Sequence, residues 1–276
     1  MSNVIDVDKL PLGKQVSYTG SYSPSLLLPI SRALQREENH ITEPLAFDGV
    51  DIWNAYEISW LEETSNKPRI AVAEFYIPCK SKNLIESKSF KLYLNSFNQS
   101  VFKSEAAVKT TLQDDIAHAV GCPIKINLIL PPFNSVNALH EFSGLCVDDL
   151  SVQISAFKPS SEFLYTEAEE VEEKLYSNLL KSNCPVTSQP DWASIYIHYQ
   201  GAKINHAGLL RYIVSFREHT DFHEQCVERI FMDIMRRCTP QKLTVYARYT
   251  RRGGLDINPF RSNFQSTPLN VRNFRQ

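Results

Sequence analysis

The hydrophobic and polar positions of this chain change period several times. Residues 70–77 and 89–97 read as strands, and in the latter Phe90, Leu92 and Leu94 alternate with Lys91, Tyr93 and Asn95. Ser104 is placed to cap a helix that runs to residue 120, where Gly121 and Pro123 stop it ahead of a strand over 123–130. The same order returns later in the chain. Residues 194–200 and 209–216 are strand-like. Asp221 opens a helix to residue 238 with Phe222, Cys226, Ile230 and Ile234 on one face, and Pro240 ends it before a strand over 242–250.

The recurrence is specific in register. Tyr93, Ser96 and Phe97 match Tyr212, Ser215 and Phe216 at an offset of 119 residues. The same offset carries Val108, Leu112 and Ile116 onto Val227, Phe231 and Met235, and Ile124, Ile126 and Leu128 onto Leu243, Val245 and Ala247. A fixed offset across strand, helix and strand indicates a duplicated unit. Short connections favour antiparallel neighbours, so the expected architecture is α+β, an antiparallel sheet with helices on one face, occurring twice. The expected division is an N-terminal arm over 1–45, a first module over 46–135 and a second over 136–276, with residues 131–144 as the connection. Polar stretches before Asp48 and after Pro259 read as extended arms.

Composition narrows the class. With 276 residues, 43% hydrophobic and 22% charged, the chain has the balance of a soluble globular protein. No apolar run has the length of a membrane span, and the polar, acidic start lacks a signal pattern, so a cytoplasmic location is expected. A net charge of -2 argues against a general nucleic-acid binder. The charge is uneven: residues 162–173 are strongly acidic and read as a solvated helix face, whereas 236–276 carry nine basic residues and one acid, Asp256. None of the six cysteines forms a C-x-x-C pair, so free thiols and no metal site are expected. Cys226 and Cys238 fall on the apolar helix face and read as core residues.

Four segments carry candidate chemistry. Cys184 lies in Ser182-Asn183-Cys184-Pro185-Val186-Thr187-Ser188-Gln189-Pro190-Asp191-Trp192, where two prolines enforce an ordered, irregular loop. It reads either as a nucleophile with Asp191 as its proton carrier, or as a buried structural cysteine beside a turn-forming aspartate. His223 and Glu224 open the second-half helix. Glu224 is either the capping-box partner of Asp221 or a carboxylate for a ligand with paired N–H donors. Glu86-Ser87-Lys88-Ser89-Phe90-Lys91-Leu92-Tyr93 crowds polar residues at a strand entry, which would turn Lys88 and Lys91 to opposite sides. Arg251-Arg252-Gly253-Gly254 offers guanidinium groups and a backbone open to close approach, or simply a basic turn. No Rossmann or P-loop glycine pattern occurs.

Together these motifs resemble the NADPH-dependent 7-cyano-7-deazaguanine reductases, the nitrile reductases of queuosine biosynthesis, in their longer two-module form. The resemblance rests on the Glu86–Tyr93 motif, the Cys184 loop with Asp191, Phe222-His223-Glu224-Gln225-Cys226 and Arg251-Arg252-Gly253-Gly254-Leu255-Asp256, in that order along nearly the whole chain. It implies tandem tunnelling-fold modules and NADPH as cofactor. It implies that Cys184 attacks the nitrile of 7-cyano-7-deazaguanine to form a thioimide while Asp191 supplies protons. Ile85, Glu86, Ser87, His223 and Glu224 would bind the substrate, and Ser87, Lys88, Arg252 and Gly253 would hold NADPH. The motifs divide between the halves, which places the expected site at their junction. By family analogy the chain is a homodimer acting on a free base, with no direct nucleic-acid or membrane partner. Two other readings share Cys184: a thiol-dependent nitrile hydrolase or amidohydrolase, and a non-catalytic module that binds a purine or pterin. The hydrolase does not account for the Arg252-Gly253 or Glu86–Lys88 motif, and in the binding module Cys184 would be dispensable for binding.

Overall fold

The computed structural model describes residues 21–133 and 139–276. These fall into two compact units. The first takes the described residues of Met1–Glu38 and Ile52–Val136, with Arg251–Asp256; the second takes Asn39–Asp51, the described residues of Asn137–Thr250, and Ile257–Gln276. The two units interleave along the chain.

In the first unit the chain order is β1 (Pro29–Ser31), α1 (Arg32–Glu38), β2 (Asp48–Glu62, its residues up to Asp51 belonging to the second unit), β3 (Pro68–Pro78), β4 (Asn83–Ile85), α2 (Ser87–Asn95), β5 (Val101–Phe102), α3 (Glu105–Val120) and β6 (Lys125–Ile129). β3 lies between β2 and β6, and its pairing with β6 is antiparallel with Phe75 opposite Ile126. α3 is the helix expected from sequence: Ser104 accepts from the Ala107 N–H at 3.1 Å, and Gly121 ends it at φ 76°, a left-handed conformation that glycine adopts without cost. Of the segment before residue 45, the described residues 21–38 pack against the rest of the unit. β1 pairs with β4, Arg36 donates to the Cys79 carbonyl at 2.7 Å, and Arg32 and Arg36 are buried.

The second unit contains β7 (Leu145–Cys146), β8 (Thr166–Asn183), β9 (Pro190–Ile204), α4 (His206–Val214), α5 (His223–Cys238), β10 (Lys242–Tyr249) and β11 (Leu255–Ser262), the first two residues of β11 belonging to the first unit. The strand order is β11-β10-β9-β8-β7, with antiparallel pairs β8–β9, β9–β10 and β10–β11. α4 packs against β8, and α5 against β9 and β10. The acidic run expected as a helix is part of β8. Glu172, Glu173 and Lys174 pair with Gln200, Tyr199 and His198, and most of their solvent side stays exposed. The C-terminal tail also packs back: Gln276 accepts from Arg248 Nε at 2.9 Å and donates to the Tyr249 carbonyl at 2.9 Å.

Two expected strands are helices. Residues 87–95 and 206–214 form α2 and α4, each followed by a serine at the C-cap, Ser96 and Ser215. The buried residues of α2 are Ser89, Phe90, Tyr93 and Leu94, a helical rather than an alternating pattern. The duplication read from sequence is reproduced in three dimensions. Tyr93 donates to Asp115 at 2.7 Å as Tyr212 does to Asp233 at 2.8 Å, and Ser96 and Ser215 each donate to the preceding tyrosine carbonyl at 2.6 Å. The whole is the α+β arrangement expected of tandem tunnelling-fold modules.

The second unit is braced by a buried ionic cluster. Arg261 donates to Asp51 at 2.7 Å and, through Nε and Nη2, to Glu228 at 3.0 and 2.9 Å; all three side chains are at most 2% exposed. Removing one member of such a cluster strands the charges that remain. Arg261→Met is therefore expected to destabilise the protein by about 3–5 kcal/mol. Replacing Asp51, Arg261 and Glu228 together by apolar residues should cost less, and urea midpoints would compare the two.

All six cysteines are free. Burial pushes the Cys226 thiol up to about 12 and the Cys238 thiol up to about 11. An unfolded cysteine ionises at about pH 8.5. Above that pH the unfolded state loses protons that the folded state keeps, so stability falls as pH rises, by about 1.4 kcal/mol per pH unit for each such thiol. Urea unfolding at pH 8 and pH 10 should show the loss, and Cys226→Ala should show a shallower one.

Candidate active site

The sequence-identified residues gather into two clusters, one in each unit. In the first unit, Glu86 begins α2. Its carboxylate accepts from the Lys88 and Ser89 N–H groups at 2.9 and 2.7 Å, and the group is fully buried. Burial raises its pKa, opposed by those two hydrogen bonds and by the charges of Lys88 and Arg252. Ile85, also buried, closes the short strand β4 against Pro29, which fixes the entry to the helix. Ser87 and Lys88 are half-buried in the first turn.

The helix changes the geometry of the two lysines. At i and i+3 they share a helix face, where a strand would have separated them. Lys91 Nζ donates to the Gly253 carbonyl at 2.5 Å and meets Glu57 at 3.0 Å. The structure thus joins the Glu86–Tyr93 motif to the Arg251–Gly254 turn. In that turn the Arg252 and Leu255 backbones bond to each other at 2.9 and 3.2 Å, and Gly253 and Gly254 sit at φ 62° and 77°. Positive φ at both central residues is the signature of a tight hairpin turn and favours glycine there. A Cβ on Gly254 would lie 2.4 Å from the Glu57 carboxyl carbon. Arg251 stacks on Tyr56 with its guanidinium 3.5 Å from the ring centre. The cationic side chains of the cluster fit a phosphate-bearing cofactor, and the two glycines make room for the close approach of Lys91 and Glu57 to the turn.

In the second unit, Cys184 occupies the loop of the β8–β9 hairpin. Its N–H donates to the Gln189 carbonyl at 2.9 Å, its carbonyl accepts from Ser188 at 3.0 Å, and it is 4% exposed. The ordered loop expected from the two prolines is present, and Pro190 opens β9. Asp191 is therefore in a strand, directly opposite Ser182, and not at a turn or cap. It is 6% exposed. His223 Nε2 lies 3.7 Å from Asp191 Oδ1, and the His223 ring packs edge-on against Tyr249 with centroids 4.1 Å apart.

The loop is tied to the helix that follows. Asn183 donates through its backbone to the His219 carbonyl at 2.7 Å and accepts from the Asp221 N–H at 3.1 Å. That pair of bonds links the residue before Cys184 to the lead into α5. The capping reading needs correction. α5 begins at His223 with Phe222 at the N-cap, Asp221 accepts from the Phe222 N–H at 2.8 Å, and the Asp221 N–H that a capping partner would take is already engaged by Asn183. Glu224, 2% exposed in the first turn, remains a candidate ligand carboxylate. Tyr249 and Ser182 flank the Cys226 thiol of the same helix, and burial drives the Tyr249 phenol far above its ordinary range.

Lys91 and Tyr249 are the residues that sequence reasoning passed over. Lys91 was visible within its motif, and a helical reading of that motif would have placed it beside Lys88. Tyr249 carried no local signal, since it is an ordinary aromatic at the end of β10 until His223 is brought against it.

Comparison with known proteins converges on one family. A family model described as nitrile reductase, 7-cyano-7-deazaguanine-reductase N-term, matches residues 18–128, and one described as QueF-like protein matches residues 190–268. The NADPH-dependent 7-cyano-7-deazaguanine reductases of Burkholderia lata and Burkholderia multivorans are each 55% identical to this chain over 269 residues, covering 96% of it and 98% of theirs. The crystal structure of the archaeosine synthase QueF-Like in the apo form aligns with 36% of this chain and 97% of its own, at 16% identity and a TM-score of 0.31. On the full-length identity to the two reductases, which agrees with the resemblance carried by the four motifs, the chain belongs to the family of NADPH-dependent 7-cyano-7-deazaguanine reductases.

Proposed function

We propose that this oxidoreductase carries out its family's reaction, the reduction of the nitrile of 7-cyano-7-deazaguanine to an aminomethyl group, through a covalent thioimide on Cys184. The observation that supports this most is the placement of Cys184: a buried thiol in a hydrogen-bonded hairpin loop, tied through Asn183 to the lead into the helix that carries His223 and Glu224. A nitrile accepts hydride poorly, and covalent addition of a thiol turns it into a more electrophilic C=N group.

The chain's own residues account for bond making and proton movement. The Cys184 sulfur bonds to the nitrile carbon as one C–N π bond opens, and Asp191 passes the thiol proton to the nitrogen. When the carbon has been reduced once, Asp191 delivers a second proton to nitrogen and the C–S bond of the thiohemiaminal breaks. As that bond breaks, one nitrogen proton returns through Asp191 to the sulfur, so Cys184 recovers its thiol and a neutral imine with one N–H remains. A third proton on nitrogen completes the amine. NADPH, when bound, supplies one hydride to the thioimide carbon and a second to the imine carbon. Ser87, Lys88, Arg252 and Gly253 hold that cofactor, with Lys91 bridging motif and turn. Ile85, Glu86, Ser87 and His223 contact the substrate, and Glu224 accepts from its paired N–H donors. The substrate is a free base. On this reading the protein works in the cytoplasm as a homodimer, in queuosine tRNA-modification biosynthesis, without direct contact with nucleic acid or membrane.

Incubation with 7-cyano-7-deazaguanine should consume two NADPH for each aminomethyl product. Release of an acid or carboxamide without NADPH oxidation would favour the hydrolase, and saturable binding alone would favour the binding module. Cys184→Ala should abolish both turnover and the adduct seen by intact-protein mass, while substrate binding persists. Glu224→Gln should raise KM for the substrate by about 10–100-fold, the loss of charge-assisted hydrogen bonds of about 1.5–3 kcal/mol. Arg252→Ala should instead raise KM for NADPH, and steady-state titration of each reactant separates the two effects.

A further inference from the structure

Gln225 follows Glu224 in the first turn of α5 and is 3% exposed. Among the described residues neither its Nε2 nor its Oε1 has a hydrogen-bond partner. Leaving a buried amide unsatisfied costs about 1–3 kcal/mol for each polar group, so native proteins rarely keep one without a use. The neighbouring helix residue is the carboxylate assigned to the N–H donors of the substrate ring. An anionic carboxylate serves donors only. The guanine-like ring also carries a carbonyl oxygen beside its ring N–H, and that oxygen needs a donor, which Glu224 lacks and an amide supplies. Glutamine is suited to such a base edge because it presents donor and acceptor in one plane.

We propose that Gln225 is a specificity-determining residue that donates from Nε2 to the ring carbonyl of the 7-deazaguanine, completing the edge that Glu224 reads. This rests on the assignment of Glu224 to the substrate. It gives the site a means of separating a 6-oxo ring from a 6-unsubstituted one, because a site built to hydrogen-bond a polar group rejects the analogue that lacks it. Glu224 and Gln225 would then share recognition, one taking donors and the other the acceptor.

The test compares two ligands in each of two proteins. Full-length wild type and Gln225→Leu are titrated with 7-cyano-7-deazaguanine and with the analogue that carries hydrogen in place of the ring carbonyl oxygen; that analogue also lacks the adjacent ring N–H, so each ligand is compared only between the two proteins. Expected is a loss of about 10–100-fold in affinity for the 6-oxo ligand on Gln225→Leu, with affinity for the analogue unchanged. Equal losses on both ligands would overturn the proposal, since a packing or water-binding role weakens both alike. No loss on either would also overturn it. Gln225→Met, closer in shape, serves if the leucine variant fails to fold, with the same expectation. If the wild type itself neither binds nor reduces 7-cyano-7-deazaguanine, the functional reading has failed and not the role of Gln225.

Discussion

The second unit is organised around one buried cation. Arg261, wholly excluded from solvent, bonds to Asp51 at the start of β2 and to Glu228 on α5. Its guanidinium also lies 5.7 Å from the centre of the Phe47 ring, which packs against Phe231 of the same helix. A planar guanidinium with fixed donor directions accepts little rotation of its partners. Glu228 stands four residues after Glu224, one helical turn further along α5. The angle at which α5 presents His223 and Glu224 is thus held from below by an ionic cluster that takes no part in the chemistry.

The two units reuse one design. In each, a short helix ends at a serine that bonds back to a tyrosine carbonyl, and that tyrosine bonds to an aspartate of the longer helix. In each, the short helix begins with a side chain that accepts backbone N–H groups, Glu86 in one and Asn205 in the other. The shared scaffold makes the departures informative. Glu86, with Lys88 and Lys91 behind it, is a charged helix start linked to a glycine turn; Asn205 is a neutral one followed by apolar residues. The hairpin loop of the second unit carries Cys184. The corresponding turn of the first unit carries no cysteine.

Much of this was legible in the sequence, and the failures have physical causes. The long helices α3 and α5 were recognised because sixteen residues give the helical period room to show. The nine-residue helices α2 and α4 were read as strands because a short segment fits either period and, for α2, because a glutamate cap is outside the usual start signals; the Asn205 cap of α4 was an available signal. The acidic run was rightly expected to face solvent, but charge does not distinguish a helix from a strand. Its partner β9 does. The proposed site residues were named from motifs, whereas Tyr249 was not, and the link between Lys91 and Gly253 spans 162 positions and had no local trace.

The sequence by itself determined which side chains are candidates for the chemistry, the duplication, and the resemblance to the family, since these depend on residue identity and order. It also determined that Cys184 lies in a rigid loop, because proline restricts its own backbone and that of its neighbour wherever it stands. Only the tertiary structure decided that Asp191 is a strand residue opposite Ser182, that Tyr249 lies against His223, and that the Gln225 amide is buried with no hydrogen-bond partner among the described residues. Burial and pairing are properties of partners distant along the chain, and a local pattern records only the residue's own half of each contact.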